Sequence, residues 1–113
     1  MNDNATALGD STHRVSTGFF GTGVNLNVAG AGILVKQGTN ATFGTVTLSS
    51  NGSAIVYSTK ITASSSIFLS RDANGGTLGH LGISARSSGV SATIASSSAT
   101  DTSTIGWLIV EPA

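Results

Sequence analysis

The segment that decides the fold reads Ile105-Gly106-Trp107-Leu108-Ile109-Val110 and lies near the end of the chain. Side chains alternate across a β-strand, so every second residue lies on the same face. One face carries Ile105, Trp107 and Ile109, and the other carries Leu108 and Val110. A strand that is apolar on both faces is typical of the centre of a sheet or of a subunit interface.

Outward from this segment, a period of two predicts further short strands. They cover residues 24–28, 33–35, 43–48, 54–57, 61–62, 66–70, 78–83 and 90–94. Asn51-Gly52 lies between two of these runs and predicts a β-hairpin, because both residue types tolerate positive φ. Many short strands of this kind with turns between them predict one small antiparallel all-β domain: a sandwich, jelly roll or small barrel.

The composition agrees with this class. The chain has 113 residues, of which 48 are Ser, Thr or Gly, and only 9% are charged. Its apolar fraction of 39% and mean hydropathy of +0.25 exclude ordinary disorder, which needs high charge and low hydropathy. The net charge of +0 favours neither a nucleic-acid partner nor a membrane partner. Absence of cysteine excludes disulfides and zinc–thiolate sites.

Two regions are predicted along the chain. Residues 1–23 show no steady period and predict an extended N-terminal arm, whose bulk is supplied by Phe19 and Phe20. Such an arm can order against a neighbouring subunit, and the alternative is a frayed terminus. Residues 24–113 are predicted to form the β-sandwich domain.

Catalytic groups are scarce, so the sequence predicts no enzyme and no cofactor. No Gly-x-Ser-x-Gly pattern occurs, and nothing in their spacing pairs Asp72 with Asp101 for acid–base work. Asp72-Ala73-Asn74-Gly75-Gly76 starts like a calcium loop but lacks the closing bidentate acid, so a turn without metal is predicted. His80 is interpreted as a histidine bonded to backbone near a turn.

Three segments of the C-terminal half carry a family resemblance. They are Ser66-Ile67-Phe68-Leu69-Ser70-Arg71, Gly75-Gly76-Thr77-Leu78-Gly79-His80-Leu81, and the stretch 96–112, which ends Ser103-Thr104-Ile105-Gly106-Trp107-Leu108-Ile109-Val110-Glu111-Pro112. Together they resemble a module of tailed-bacteriophage virion proteins, in tail fibres, tailspikes or small head proteins. The resemblance spans roughly residues 44–113. It implies a β-structured, commonly trimeric module with an assembly or surface role.

Two functional hypotheses follow from the residues and the resemblance together. The leading one is a capsid decoration or cement protein. It would be a homotrimer on the capsid surface that binds the major capsid protein or other virion proteins. Its predicted assembly interface comprises Phe19, Phe20, Trp107 and Ile109. The alternative is the receptor-binding tip of a tail fibre or tailspike, which would grip host surface glycan through loops around 72–74 and 96–104.

Overall fold

The computed structural model describes residues 12, 13 and 15–113. The parts of the predicted arm at residues 1–11 and at Arg14 lie outside the described residues. The chain divides into two units between Ile33 and Leu34, beyond the boundary predicted after Gly23. All strands of the described residues belong to the second unit. They are β1 (Phe43–Thr47), β2 (Ser53–Tyr57), β3 (Ser66–Ala73), β4 (Leu81–Ser87), β5 (Ser91–Ser96) and β6 (Thr104–Val110).

The strands form two antiparallel three-stranded sheets, which confirms the predicted all-β class. The first sheet has the order β1-β6-β3 and the second has the order β2-β5-β4. The apolar strand β6 is therefore the centre of its sheet, one of the two places that its sequence predicts. Across this sheet Leu108 lies opposite both Phe43 and Phe68.

The core contains side chains from both sheets, as expected of a sandwich. Its fully buried members are Leu48, Val56, Ile61, Ala92, Ile94, Ile105, Trp107 and Ile109. The face of β6 that carries Ile105, Trp107 and Ile109 points into this core, since none of the three side chains is more than 5% exposed. Trp107 packs over Gly44, where an added Cβ would lie 2.7 Å from the indole Cζ2. Glycine at this position therefore leaves the space that the indole ring occupies.

The turn at Asn51-Gly52 forms, but the predicted hairpin is wrong. Gly52 has a φ of +74° and its N–H donates to the Ser49 carbonyl over 2.9 Å. The strands on either side do not pair with each other, because β1 pairs with β6 and β2 pairs with β5. The turn carries the chain from one sheet to the other. The β4–β5 pair forms a hairpin instead, with Gly89 at a φ of +73° in its turn.

The strands predicted at 24–28 and 33–35 are also wrong. Val24, Leu26 and Val28 are 64%, 48% and 72% exposed and belong to no strand, and Leu34 is 95% exposed. A segment with alternating apolar and polar residues forms a half-buried strand only where a neighbouring strand forms hydrogen bonds with its backbone. No strand among the described residues pairs with these segments. Ile61 is buried, yet it lies in a loop rather than in the short strand predicted there.

Candidate functional site

Two polar loops meet at one end of the domain. They are the loop between β3 and β4 (residues 74–80) and the loop between β5 and β6 (residues 97–103). Gly76 and Asp101 form an isolated antiparallel bridge. The Thr102 N–H donates to the Gly75 carbonyl over 3.0 Å, and the Ser97 N–H donates to the His80 carbonyl over 2.9 Å. The structure thus brings together two loops that overlap the segments proposed for glycan contact, although Asp72 and Ala73 of the proposed segment 72–74 belong to β3.

The carboxylate of Asp101 organises these loops from inside. It has no exposed surface, and the Arg71 Nη1 donates to Oδ1 and Oδ2 over 3.0 and 2.9 Å. Ser103 donates to Oδ1 from both its N–H and its hydroxyl, over 3.1 and 2.6 Å. Oδ2 accepts from the Ser96 hydroxyl over 2.7 Å and from the Gly79 N–H over 3.1 Å. Both oxygens are therefore fully engaged.

This environment keeps Asp101 ionised. Burial by itself raises the pKa of a carboxyl group, because it disfavours the charged form. Hydrogen bonds from Ser103, Ser96, Arg71 and the Gly79 N–H outweigh burial and hold the pKa of Asp101 well below its usual range. Arg71 also donates from Nη2 to the Gly79 carbonyl over 2.7 Å. The pair therefore ties β3 to both loops.

Glycines allow the two loops to approach this closely. An added Cβ would lie 1.9 Å from the Thr100 carbonyl oxygen at Gly76 and 2.6 Å from the Thr102 carbonyl oxygen at Gly75. The loop interior is therefore closed to a ligand. The exposed surface of the loops consists largely of small polar side chains: Asn74, Thr77, His80, Ser97, Thr100 and Thr102.

The residues that the sequence offers as catalytic candidates, Asp72, Asp101 and His80, do not lie together in one site. Asp72 is exposed on the outer side of the first sheet, where it accepts from the Ser70 hydroxyl over 2.8 Å, whereas Asp101 faces the interior. His80 bonds to Ser97 through its main chain, and the residue is exposed. Within residues 12, 13 and 15–113, no group of three His, Asp or Glu residues is placed to hold a metal ion.

An apolar patch lies on the outer face of the first sheet. Phe43, Leu108 and Phe68 form one row across β1, β6 and β3, and Val110 extends the row along β6. Phe43, Phe68 and Val110 are 36%, 59% and 46% exposed. We call these four residues the outer patch. The outward neighbours along these strands are the uncharged residues Thr45, Thr47, Ser66, Ser70, Thr104 and Gly106, and the charged residue Asp72 near the end of β3.

The residues of the predicted assembly interface are found in two different settings. Trp107 and Ile109 are 4% and 5% exposed in the chain's own core, so the outward side chains of β6 are those of Leu108 and Val110. Phe19 and Phe20 are 94% and 64% exposed and belong to the first unit. The assembly role of these four residues stays a prediction.

Sequence reasoning missed the pairing of Arg71 with Asp101. One signal was available: Asp101 is the only charged residue between Arg86 and Glu111. A carboxylate that becomes buried must be paired or hydrogen-bonded, so a lone one in such a run indicates a partner elsewhere in the chain. Its partner could not be named, because thirty positions of sequence separate the two residues.

The fold and the loop network define a small all-β module. A family model described as K1 capsule-specific polysaccharide lyase, C-terminal domain, matches residues 40–110. The match covers more than half of the chain, and the chain belongs to this family. The family is a tailspike-type domain, so the chain is a domain of a phage tail or virion.

The family supports the tailspike alternative better than the capsid-decoration hypothesis. No curated protein matches the chain, and no solved structure matches it. Among residues 12, 13 and 15–113, no helical segment has the length and hydropathy that crossing a bilayer requires.

Proposed function

We propose that the chain is a non-catalytic domain of a tailspike-type virion protein, and that it holds identical copies together as a homotrimer. The observation that carries this proposal is the outer patch. Four neighbouring apolar side chains on a sheet face whose described charged residue is Asp72, near the end of β3, mark a surface that gains stability when it is covered.

A second copy of the chain suits this surface better than a different partner. Apart from Asp72 near the end of β3, the outward positions around the patch carry hydroxyl groups or glycine, and the whole chain has a net charge of +0. Identical patches can therefore meet around a symmetry axis without repulsion between like charges, provided that Asp72 of each copy lies away from the axis. Three copies can bring Phe68 and Leu108 to a common axis, in agreement with the trimers that the sequence resemblance implies.

The absence of catalysis is part of the proposal. Two acids are candidates for acid–base catalysis by sequence. Asp101 is buried and accepts hydrogen bonds from Arg71, Ser96 and Ser103. Asp72 lies on the outer face of the first sheet, away from Asp101. A carboxylate that acts as a general acid or base must present an oxygen atom that can reach the substrate. Asp101 has none to offer.

Oligomeric mass tests the assembly role. Sedimentation equilibrium of the wild-type chain should give three times the 11.2 kDa chain mass. Phe68→Ser should lower the mass, because it places a hydroxyl group in the patch. Tyr57→Ser is the matched control, since Tyr57 is an aromatic residue that is 56% exposed on the other sheet. Circular dichroism should show that both variants keep the β-fold.

A wild-type chain that stays monomeric at tens of micromolar would overturn the assembly role. The same conclusion follows if Tyr57→Ser dissociates the trimer and Phe68→Ser does not.

Glycan contact by the joined loops is a second candidate. The specific observation is that Asp101 fixes loops 74–80 and 97–103 to each other, so that their polar side chains form one surface. Saturable binding of the purified chain to host surface polysaccharide, weakened by joint replacement of Asn74 and Thr100 with alanine, would support it. Absence of binding across a panel of hosts would count against it.

A further inference from the structure

One side of β1 carries main-chain groups without a strand partner. The strand pairs with β6, and no strand of the described residues pairs with its other side. The Leu48 N–H donates to the Ser103 carbonyl over 2.9 Å, so Leu48 points its main chain toward β6. In an antiparallel pair, successive residues point their main-chain groups alternately toward and away from the partner. Thr45 and Thr47 therefore point their N–H and C=O groups away from β6, and we call this side of β1 the free edge.

The free edge lacks the features that usually prevent strand addition. Charged side chains and proline protect many edge strands, and β1 contains neither. An isolated bridge to Gln37 covers only Phe43 at the start of the strand. Beside the free edge lies an open groove of about 180 Å³, whose lining includes Val46, Val56 and Trp107. The edge therefore offers unpaired main-chain groups next to apolar side chains.

Residues 24–28 have the pattern of a strand that belongs to such an edge. The apolar residues Val24, Leu26 and Val28 alternate with asparagines and are exposed. None of residues 15–35 is charged, so no charge opposes pairing. No strand of the described residues pairs with this segment. One chain thus contains both an unpaired strand pattern and an unpaired strand edge.

We propose that residues 24–28 of one copy pair antiparallel with the free edge of β1 in a neighbouring copy. The two segments do not pair within one chain, so another copy supplies the partner. This strand exchange rests on the proposed homotrimer and names the segments that join its copies. Each copy gives its segment to the next copy and receives one, so that the exchange closes around a threefold axis.

A single register satisfies the main chain of both segments. Asn27 lies opposite Thr45, and Asn25 lies opposite Thr47. Each pair exchanges two N–H···O=C bonds, because Thr45 and Thr47 are the residues whose main-chain groups point outward. The first sheet then has four strands, and the free edge is covered as in other cases of strand addition between chains.

The same register separates the apolar side chains from the polar ones. Opposite residues in a sheet point their side chains to the same face. Leu26 therefore lies beside the half-buried Val46 and enters the groove next to Trp107. The two asparagines join Thr45 and Thr47, which are exposed on the outer face. A shift by one residue would reverse this arrangement and leave Leu26 in solvent.

A designed disulfide tests the exchange in the full chain, which contains no cysteine. Opposite residues of a hydrogen-bonded pair have Cα atoms about 5.5 Å apart, a separation that a disulfide spans. The oxidised variant Asn27→Cys/Thr45→Cys should run on a non-reducing gel at three times the 11.2 kDa chain mass, because each copy is linked to the next. Asn27→Cys/Thr77→Cys is the matched control, since Thr77 is an exposed threonine in the joined loops. It should form no covalent trimer.

A second substitution tests the groove. Leu26→Asn, added to Asn27→Cys/Thr45→Cys, should lower the yield of covalent trimer at least about tenfold, because it removes the apolar side chain that the groove receives. Val15→Asn is its control and should leave the yield unchanged. Val15 is 49% exposed, Leu26 is 48% exposed, and Val15 lies outside the exchanged segment.

Three outcomes would overturn the exchange. They are a monomer closed by an intrachain disulfide at every concentration, a covalent dimer, and equal cross-linking of the Thr77→Cys control. A trimer by sedimentation that forms no covalent link would overturn the exchange and leave the assembly role intact. Covalent trimers together with a non-covalent trimer that survives Phe68→Ser would overturn the role of the outer patch and leave the exchange intact. A monomeric wild type without any covalent link would overturn both.

Discussion

Arg71 and Asp101 form an ion pair in which one guanidinium nitrogen contacts both carboxylate oxygens, Nη1 lying 3.0 Å from Oδ1 and 2.9 Å from Oδ2. Arg71 stands on β3, and Asp101 stands in the loop before β6. Because the carboxylate has no exposed surface, these contacts and the surrounding hydrogen bonds replace water as its solvent. The pair therefore fixes the loop before β6 to β3.

Asp101→Asn should destabilise the domain strongly. The amide nitrogen of asparagine cannot accept hydrogen bonds, and Arg71 is left without a counter-charge. Asp72→Asn is the matched control, since Asp72 is exposed and accepts one hydrogen bond, from Ser70. Urea denaturation should show a large fall in midpoint for Asp101→Asn and almost none for Asp72→Asn. Equal midpoints would contradict a structural role for the pair.

Stability should depend on pH through the same carboxylate. The pKa of Asp101 is lower in the folded chain than in the unfolded chain, so its stabilising contribution is present above the unfolded pKa and is lost as pH falls. The unfolded value for Asp is about 3.9, so the wild-type melting temperature should fall from about pH 5 down to about pH 2. The gap between wild type and Asp101→Asn should narrow over the same range. A gap that is independent of pH would contradict the assignment.

Three Gly→Ala substitutions should lower the free energy of unfolding by increasing amounts. Gly82→Ala meets open space at an ordinary φ and should change the free energy of unfolding by no more than about 0.5 kcal/mol. Gly89→Ala also meets open space, but its φ of +73° should cost about 1 kcal/mol. Gly76→Ala combines a φ of +63° with a carbonyl oxygen 1.9 Å away, so it should cost the most. Thermal melts check this order, and a Gly76→Ala chain as stable as Gly82→Ala would contradict the loop packing.

Trp107→Ala should destabilise the domain by about 3–5 kcal/mol, the range for loss of a large buried aromatic side chain. The indole is 4% exposed and packs over Gly44, so its removal leaves a cavity between the sheets. Tyr57→Ala removes an aromatic side chain that is 56% exposed and should cost far less. The comparison requires urea titrations at matched protein concentration. A fully folded Trp107→Ala chain with unchanged midpoint would show that the core is assigned incorrectly.

Local pattern was enough to predict the class of the fold and one face of its central strand. Ile105, Trp107 and Ile109 were predicted to share one face, and the structure decided that this face is the buried one. The turn at Asn51-Gly52 was predictable for the same reason, since the two residues need no distant contact to adopt it. Each of these properties depends on neighbours within a few positions.

Pairing partners were not predictable in this way. The alternation of apolar and polar residues at 24–28 equals that of a true strand. No strand among the described residues pairs with this segment, and Val24 and Val28 remain exposed. The loops that contain Gly76 and Asp101 lie together only because strands remote in sequence place them side by side.

The sequence by itself determined that this chain forms short strands with few charged residues and one strongly apolar strand near residue 113. Tertiary structure alone decided that Arg71 meets Asp101 and that Phe43, Leu108 and Phe68 form one outer row. The physical reason is the range of the interactions. Turn and strand preferences act over a few residues, whereas burial of a charge or exposure of a sheet face depends on which distant strands become neighbours.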